Sequence, residues 1–247
     1  MRYFIGNWKM FGVPGSINLL NKINSFISKD KSGNKYQVII TPPYTLLESF
    51  AKHFKVKKII IGSQNCYQKD KFSSNTAAIS PYMIKSVGVK YTLVGHSDNR
   101  AEGDTDLMLK TKVQLALKNN LKVVFCIGEN KFQKKNKKTF SVLKKQLSKV
   151  LDKKFNKSNI IVAYEPIWSI GTGKIPNQYD LLKTTTYIKK VLKNIFGKRS
   201  PPVLYGGSVD GNNIDMFRQI KEIDGFLIGG ASKSSKKFID IIKNYYR

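Results

Sequence analysis

The sequence predicts a single (β/α)8 barrel spanning residues 1–247, and three observations carry that expectation. Short runs of β-branched and aromatic residues recur eight times, amphipathic stretches separate them, and the chain has the length of one such barrel, roughly 250 residues. The runs, in order, are Tyr3-Phe4-Ile5, Gln37-Val38-Ile39-Ile40, Ile59-Ile60-Ile61, Tyr91-Thr92-Leu93-Val94, Val123-Val124-Phe125-Cys126, Ile160-Ile161-Val162, Val203-Leu204-Tyr205 and Phe226-Leu227-Ile228. Each is apolar at consecutive positions, as a parallel strand covered on both faces requires. Between them, Ser16 to Lys29, Thr105 to Asn119, Thr139 to Lys154, Asp180 to Phe196 and Ser232 to Tyr245 place apolar residues three and four apart. Ile17-Leu20 and Ile23-Ile27 show the spacing of a helix with one buried stripe. The Lys/Ser-rich stretch Ser28 to Lys35 reads as an exposed connection from helix to strand. A doubly wound open sheet alternates in the same way but carries a Gly-rich phosphate turn after its first strand. Here that turn is Asn7-Trp8-Lys9, and no linker or second core interrupts the repeat.

Composition bounds the class of protein. With 41% hydrophobic and 24% charged residues the chain can bury a core. The formal net charge of +28 invites a nucleic-acid reading, since clustered cations displace counterions from phosphates. The distribution argues against it: Arg2, Arg100, Arg199, Arg218 and Arg247 are the only arginines, and the remaining cations are lysines scattered over nearly every helical stretch. Base-edge recognition favours the guanidinium fork. The densest run, Lys131 to Lys138, reads as the start of a helix with a solvated face. Cys66 and Cys126, each at the end of a different apolar run, give no disulfide framework and no metal spacing. MRYFIGNWKM has no signal-like layout, and no apolar run approaches the roughly 18 residues of a membrane span. A soluble, cytoplasmic protein with no membrane partner is expected.

In a barrel of this kind the chemistry sits at the carboxyl ends of the strands. The residues there are Asn7 and Lys9, Gln64-Asn65, His96-Ser97, Glu129, Glu165, Gly206-Gly207-Ser208 and Gly229-Gly230-Ala231-Ser232. A cation, an imidazole and a carboxylate thus share one face with two Gly-rich turns. Partial burial would raise the pKa of Glu165 and suit it to act as a base; a surface carboxylate closing a strand would look the same in sequence. His96 precedes Ser97-Asp98, a plausible helix start whose N–H groups would favour neutral imidazole. A lone histidine is more often structural, as expected of His53 in its Lys-rich helix. Lys9 could hold an anionic substrate, although most lysines of this chain are merely solvated. The two glycine pairs could offer backbone N–H groups to a phosphate, helped by a helix beginning near Ser232; one pair alone would be weak evidence.

Together these motifs resemble the triosephosphate isomerase family over essentially the whole chain. Asn7-Trp8-Lys9, Gly95-His96-Ser97, Cys126-Ile127-Gly128-Glu129, Tyr164-Glu165-Pro166-Ile167-Trp168, Gly171-Thr172-Gly173-Lys174, Tyr205-Gly206-Gly207-Ser208 and Gly229-Gly230-Ala231-Ser232 stand in the family's order. The resemblance implies interconversion of dihydroxyacetone phosphate and glyceraldehyde 3-phosphate through an enediolate, with no metal and no organic cofactor. For this family the pairing of a glutamate base with a neutral histidine, under a water-excluding lid, is established chemistry. Carried over by position, the catalytic residues are Glu165, His96, Lys9, Asn7, Ser97 and Asp98. Asn7, Lys9, Gly171, Ser208, Gly229 and Gly230 hold the substrate and its phosphate. The lid is Pro166, Ile167, Trp168, Ser169, Ile170, Gly171, Thr172, Gly173 and Lys174, stiff at Pro166 and Trp168 and free to swing at Gly171 and Gly173.

The chain departs from the family at several of these places. The family writes His-Ser-Glu-Arg-Arg where this chain reads His96-Ser97-Asp98-Asn99-Arg100, and a glutamate where Asp104 stands. The shorter Asp98 is expected to hold Lys9 less firmly. Of the family's Gly-Ala-x-Thr-Gly-Glu loop, Ser73 to Ala78 retains only Thr76. The family is a homodimer in which that glutamate pairs with the arginine, so Ala78 and Asn99 delete one interface ion pair at both ends and imply a weaker or differently packed dimer. Losing both partners leaves no unpaired buried charge. Ser169 replaces the usual lid Ala and Lys233 the usual Leu. Two rival classes remain: another phosphate-binding (β/α)8 enzyme, which would share the glycine turns, and a basic interaction protein, which would share only the charge.

Overall fold

The computed structural model describes residues 1–197 and 200–247. Its strands are β1 (Arg2–Asn7), β2 (Tyr36–Thr41), β3 (Ile59–Ser63), β4 (Tyr91–Val94), β5 (Lys122–Ile127), β6 (Ile160–Tyr164), β7 (Val203–Tyr205) and β8 (Gly225–Ile228). Each of the eight apolar runs lies inside one of them. Neighbours pair in parallel in chain order and β8 pairs back onto β1, Phe4 opposite Phe226 and Gly6 opposite Ile228, so the sheet closes into a barrel.

Side chains on each strand sort by parity, as pleated backbone requires. Ile5, Ile39, Leu93, Val124, Ile161 and Leu227 belong to one buried cluster built almost wholly from strands, which fills the lumen. Their alternates, among them Phe4, Ile40, Phe125, Val162 and Phe226, join a larger cluster with the surrounding helices. Consecutive apolar residues are therefore needed because both faces are covered. Cys126 lies within β5 among the lumen residues, whereas Cys66 sits three residues beyond β3, in a loop; both are buried and free.

The helices are α1 (Ile17–Lys29), α2 (Leu47–His53), α3 (Pro81–Ser86), α4 (Ser97–Ala101), α5 (Asp106–Lys118), α6 (Lys131–Lys135), α7 (Thr139–Val150), α8 (Gln178–Phe196), α9 (Ile214–Arg218) and α10 (Ser235–Tyr246). None among the described residues is long and apolar enough to cross a membrane. Two boundaries differ from the periodicity by three residues or more. α7 stops at Val150 because Leu151 turns extended and buries its side chain. The last helix begins not at Ser232 but at Ser235, after a 3-10 turn over Gly230–Lys233. Ser232 is fully buried, its hydroxyl donating to Gly229 O at 2.6 Å and its carbonyl accepting Trp8 Nε1 at 3.1 Å. Extended Ser234 then caps α10, its hydroxyl accepting the Lys237 N–H.

One ion pair is deeply buried. Lys112 Nζ of α5 lies 2.7 and 2.8 Å from the two Asp104 oxygens and 3.2 Å from Asn65 Oδ1. Both ionic side chains are more than nine-tenths buried, at 5% and 8% exposure. This pair anchors the α4–α5 junction to the loop after β3. His53, at the end of α2, has Nε2 2.8 Å from Asn21 Oδ1 and plays a structural part.

Candidate active site at the carboxyl mouth of the barrel

β1 delivers Asn7, 4% exposed, to the mouth, where the chain must turn at once. Lys9 makes that turn with φ of 53°, a left-handed conformation that costs a non-glycine residue of the order of 1 kcal/mol or more. Hydrogen bonds on both sides hold it there. Lys9 N donates to Asn7 Oδ1 at 3.0 Å, and the Gln64 amide donates to Lys9 O at 2.8 Å and to Thr41 O at 2.9 Å. The ammonium then reaches Asp98 Oδ2 at 3.1 Å. The shorter carboxylate thus still spans the gap, although the Asp98 side chain is 57% exposed.

His96 leaves β4 as the N-cap of α4, and its Nδ1 accepts the Asp98 N–H at 3.1 Å. A ring nitrogen that accepts carries no proton, so the imidazole is neutral and its proton is on Nε2. That nitrogen lies 3.4 Å from Glu165 Oε1. Arg100, on α4, steadies this turn by donating to Gly95 O at 2.8 Å and to Cys126 O at 3.1 Å.

Glu165 follows β6 directly, with its N–H on Ile127 O at 2.7 Å, and its side chain is buried. Oε2 has no hydrogen-bond partner among the described residues. Burial drives its carboxyl above the ordinary carboxylate range, while His96, the Cys126 thiol and Lys9 oppose the shift. The glycine at 206 is required by this packing, because a Cβ there would stand 2.6 Å from Glu165 Cγ. On the Lys9 side of His96, a cavity of about 240 Å3 is lined by Asn7, Lys9, Tyr44, Gln64, His96 and Asp98. A second, about 10 Å3, lies between Ser97, Gly128, Ile167 and Glu165, so Ser97 borders the carboxylate without a hydrogen bond to it.

The segment 166–174, expected to act as a lid, departs from β6 through Pro166 and a 3-10 turn over Ile167–Ser169. At this end Trp168 Nε1 donates to Glu129 Oε1 at 2.8 Å, and Lys134 Nζ sits 3.5 Å from the centre of the indole ring. The run Lys131 to Lys138 is therefore more than a solvated face: α6 ends within it, and one of its ammonium groups covers the lid tryptophan. Thr172 Oγ1 donates to Trp168 O at 3.2 Å and accepts the Lys174 N–H, also at 3.2 Å. Gly171 and Gly173 take positive φ of 68° and 72° in open space, and Ile170 links them to the turn. This half is also tied down: Gly173 N donates to Ser208 Oγ at 3.1 Å, and Ser208 Oγ donates to Ser169 O at 2.8 Å. The N–H groups of Gly171, Ser208, Gly229 and Gly230 have no hydrogen-bond acceptor among the described residues.

Lys9, Asn7, Asp98, His96 and Glu165 are thus brought together, and the lid joins the β7 exit at Ser208. Gln64, Arg100, Glu129 and Lys134 support them without having been assigned a role in sequence. Gln64 and Glu129 do stand at strand ends, which is the signal that could have found them. Among the described residues, no group of three or more His, Cys, Asp or Glu side chains could hold a metal ion. A carboxylate oxygen with no donor on it, an N–H donor 3.4 Å from that carboxylate and an ammonium at the same mouth can move a proton on and off carbon while holding developing negative charge on oxygen.

Known proteins with this arrangement are numerous. The family model of triosephosphate isomerase matches residues 2–245. The triosephosphate isomerase of Thermodesulfovibrio yellowstonii is 34% identical over 245 residues, covering 98% of each chain, and that of Debaryomyces hansenii is 36% identical over 248 residues, also 98% of each. The crystal structure of triosephosphate isomerase from Bartonella henselae superposes with a TM-score of 0.91 at 31% identity, over 100% of this chain and 99% of that one. Full-length similarity in sequence and in fold together place this chain in the triosephosphate isomerase family.

Proposed function

We propose that the chain interconverts dihydroxyacetone phosphate and D-glyceraldehyde 3-phosphate by acid–base catalysis at Glu165 and His96. The observation that carries this reading is the buried pair itself, Glu165 Oε1 3.4 Å from the protonated Nε2 of a neutral His96. Glu165 removes a proton from the carbon beside the substrate carbonyl. His96 Nε2–H gives a hydrogen bond, then a proton, to the carbonyl oxygen and recovers one from the neighbouring hydroxyl, and the protonated Glu165 returns its proton to the other carbon of the enediolate, so the isomer forms with no net gain or loss of protons. Lys9, steadied by Asp98 and Gln64, stabilises the negative charge, with Asn7 fixing its turn. Gly171, Ser208, Gly229 and Gly230 bind the phosphate through backbone N–H groups, and the lid over 166–174 excludes water so that the enediolate does not expel phosphate.

The whole chain acts as one domain, in the cytoplasm, as a homodimer whose interface lacks the ion pair that Ala78 and Asn99 cannot form. A coupled assay of the purified protein with glyceraldehyde 3-phosphate tests the reaction; turnover that depends on Glu165 supports it, and inactivity with both triose phosphates would return the chain to the wider class of phosphate-binding barrels. Light scattering across a dilution series tests the assembly. Dissociation on dilution into the micromolar range is expected, and a dimer that resists it removes the inferred weakness.

A further inference from the structure

We infer that the Ser169 hydroxyl is the latch of the lid, a positioning residue that joins the lid's two ends to Tyr205 on β7 and so holds Gly171 over the substrate phosphate. This rests on the lid reading above and adds to it a group, in place of the alanine usual at this position, that this chain supplies.

Ser169 is fully buried, within a lid whose residues 171–174 are exposed. Its Oγ donates to Lys174 O, five residues along, and lies 3.0 Å from Tyr205 Oη. One hydroxyl has one proton, so with that proton on the Lys174 carbonyl the Tyr205 phenol must be the donor. Burial pushes the Tyr205 hydroxyl up to about 12, which keeps that proton in place at any pH where the enzyme would work. The closing end of the lid has few donors of its own: Pro176 has no N–H, and Lys174 presents its carbonyl. A group that both donates and accepts is what a phenol and a carbonyl need in order to be connected. A second loop of bonds runs beside the first, from Gly173 N to Ser208 Oγ to Ser169 O. Both loops start at Ser169 and both are rooted at the exit of β7. The glycine turn at 171 that would face the phosphate lies inside them.

Removing the hydroxyl leaves the buried Tyr205 O–H without its acceptor and the Lys174 carbonyl without its Ser169 donor, and only in the closed state, because an open lid would hand both to water. The latch therefore acts on the open–closed balance and not on the barrel. Three readouts on Ser169→Ala and on Tyr205→Phe test it: steady-state kinetics, the fraction of turnovers that end in release of inorganic phosphate, and acrylamide quenching of tryptophan fluorescence. Quenching reports on the lid because Trp8 is fully buried while Trp168 is partly exposed. With saturating inorganic phosphate as the probe ligand, Ser169→Ala is expected to raise quenching, to lower kcat about tenfold with a smaller change in KM, and to increase phosphate release. Tyr205→Phe should do the same, and the double variant should be little worse than either single one, since they break one chain of bonds. Ser169→Ala with kcat, phosphate release and quenching all as in the wild type overturns the latch, and so does a lowered kcat with quenching and phosphate release unchanged. If wild-type protein fails to isomerise triose phosphates while Ser169→Ala still raises quenching, the latch stands and the assigned reaction falls.

Discussion

Glu165 and Asp104 are both buried carboxylates, and almost everything else about them differs. Asp104 has each of its oxygens within 2.8 Å of one ammonium, itself buried. Glu165 has one oxygen facing an imidazole at 3.4 Å and another facing nothing. A carboxylate held on both oxygens by a buried counter-charge is compensated as a charge, whereas burial penalises the charged form of one that lacks a partner on one oxygen. Burial alone thus does not mark a reactive group, and neither does an unpartnered oxygen, since Glu129 Oε2 also lacks a partner among the described residues. What sets Glu165 apart is the imidazole nitrogen beside it.

The difference can be broken from either side. Glu165→Gln should lower kcat by about 10²- to 10⁴-fold, the usual worth of a general base, while raising the thermal unfolding midpoint, because it removes an uncompensated buried charge; a lower midpoint would mean that the carboxylate is a structural partner after all. Asp104→Asn should do the reverse, leaving Lys112 without a counter-charge and costing about 3–5 kcal/mol of stability, measured by denaturant unfolding, with a smaller loss when Lys112→Met is added. An Asp104→Asn protein as stable as the wild type would refute the role given to the pair.

The pH dependence sharpens the same contrast. Because the folded-state pKa of Glu165 is raised by burial, the native chain holds that proton more tightly than the unfolded chain. Stability therefore falls as pH rises from the ordinary carboxylate range through the raised value, and this slope should flatten in Glu165→Gln. Activity moves the other way, kcat/KM rising through the same window as the base ionises; an acid limb at an ordinary carboxylate pKa would contradict the burial. The smallest effect is expected at Lys134. Its contact with Trp168 is partly exposed, and Lys134→Ala should cost about 0.5–1 kcal/mol of lid closure, read as a severalfold change in the affinity for inorganic phosphate, with kcat nearly intact.

What was legible in the sequence follows the same division. The barrel could be read because strands covered on both faces need apolar residues at consecutive positions, and Glu165, His96 and Lys9 could be read because strand ends mark the mouth. Asp104 and Lys112 could not, since nothing in a helix-start aspartate and a mid-helix lysine announces that both are buried. Nor could Lys134, which looks like its neighbours in a lysine-rich run and is distinguished only by the tryptophan that the fold brings to it. Ser169 was visible as a departure, but its effect depended on Tyr205, 36 residues away. The start of the last helix was missed because Ser232 fits the periodicity, while its tether to Trp8 draws it into a 3-10 turn.

The pairing of β1 with β8 has a consequence for how the molecule comes into being. Lys9 stands near the beginning of the chain, yet its strand is flanked by residues 225–228 and its neighbour Trp8 is fastened to Ser232. During synthesis the first strand must wait, with one edge uncovered, until residues 225–228 have left the ribosome. Contacts this distant in sequence slow folding and lengthen the exposure of sticky intermediates. Competence for catalysis should therefore arrive late and abruptly: nascent chains halted before β8 should show none, and those released beyond α10 all of it.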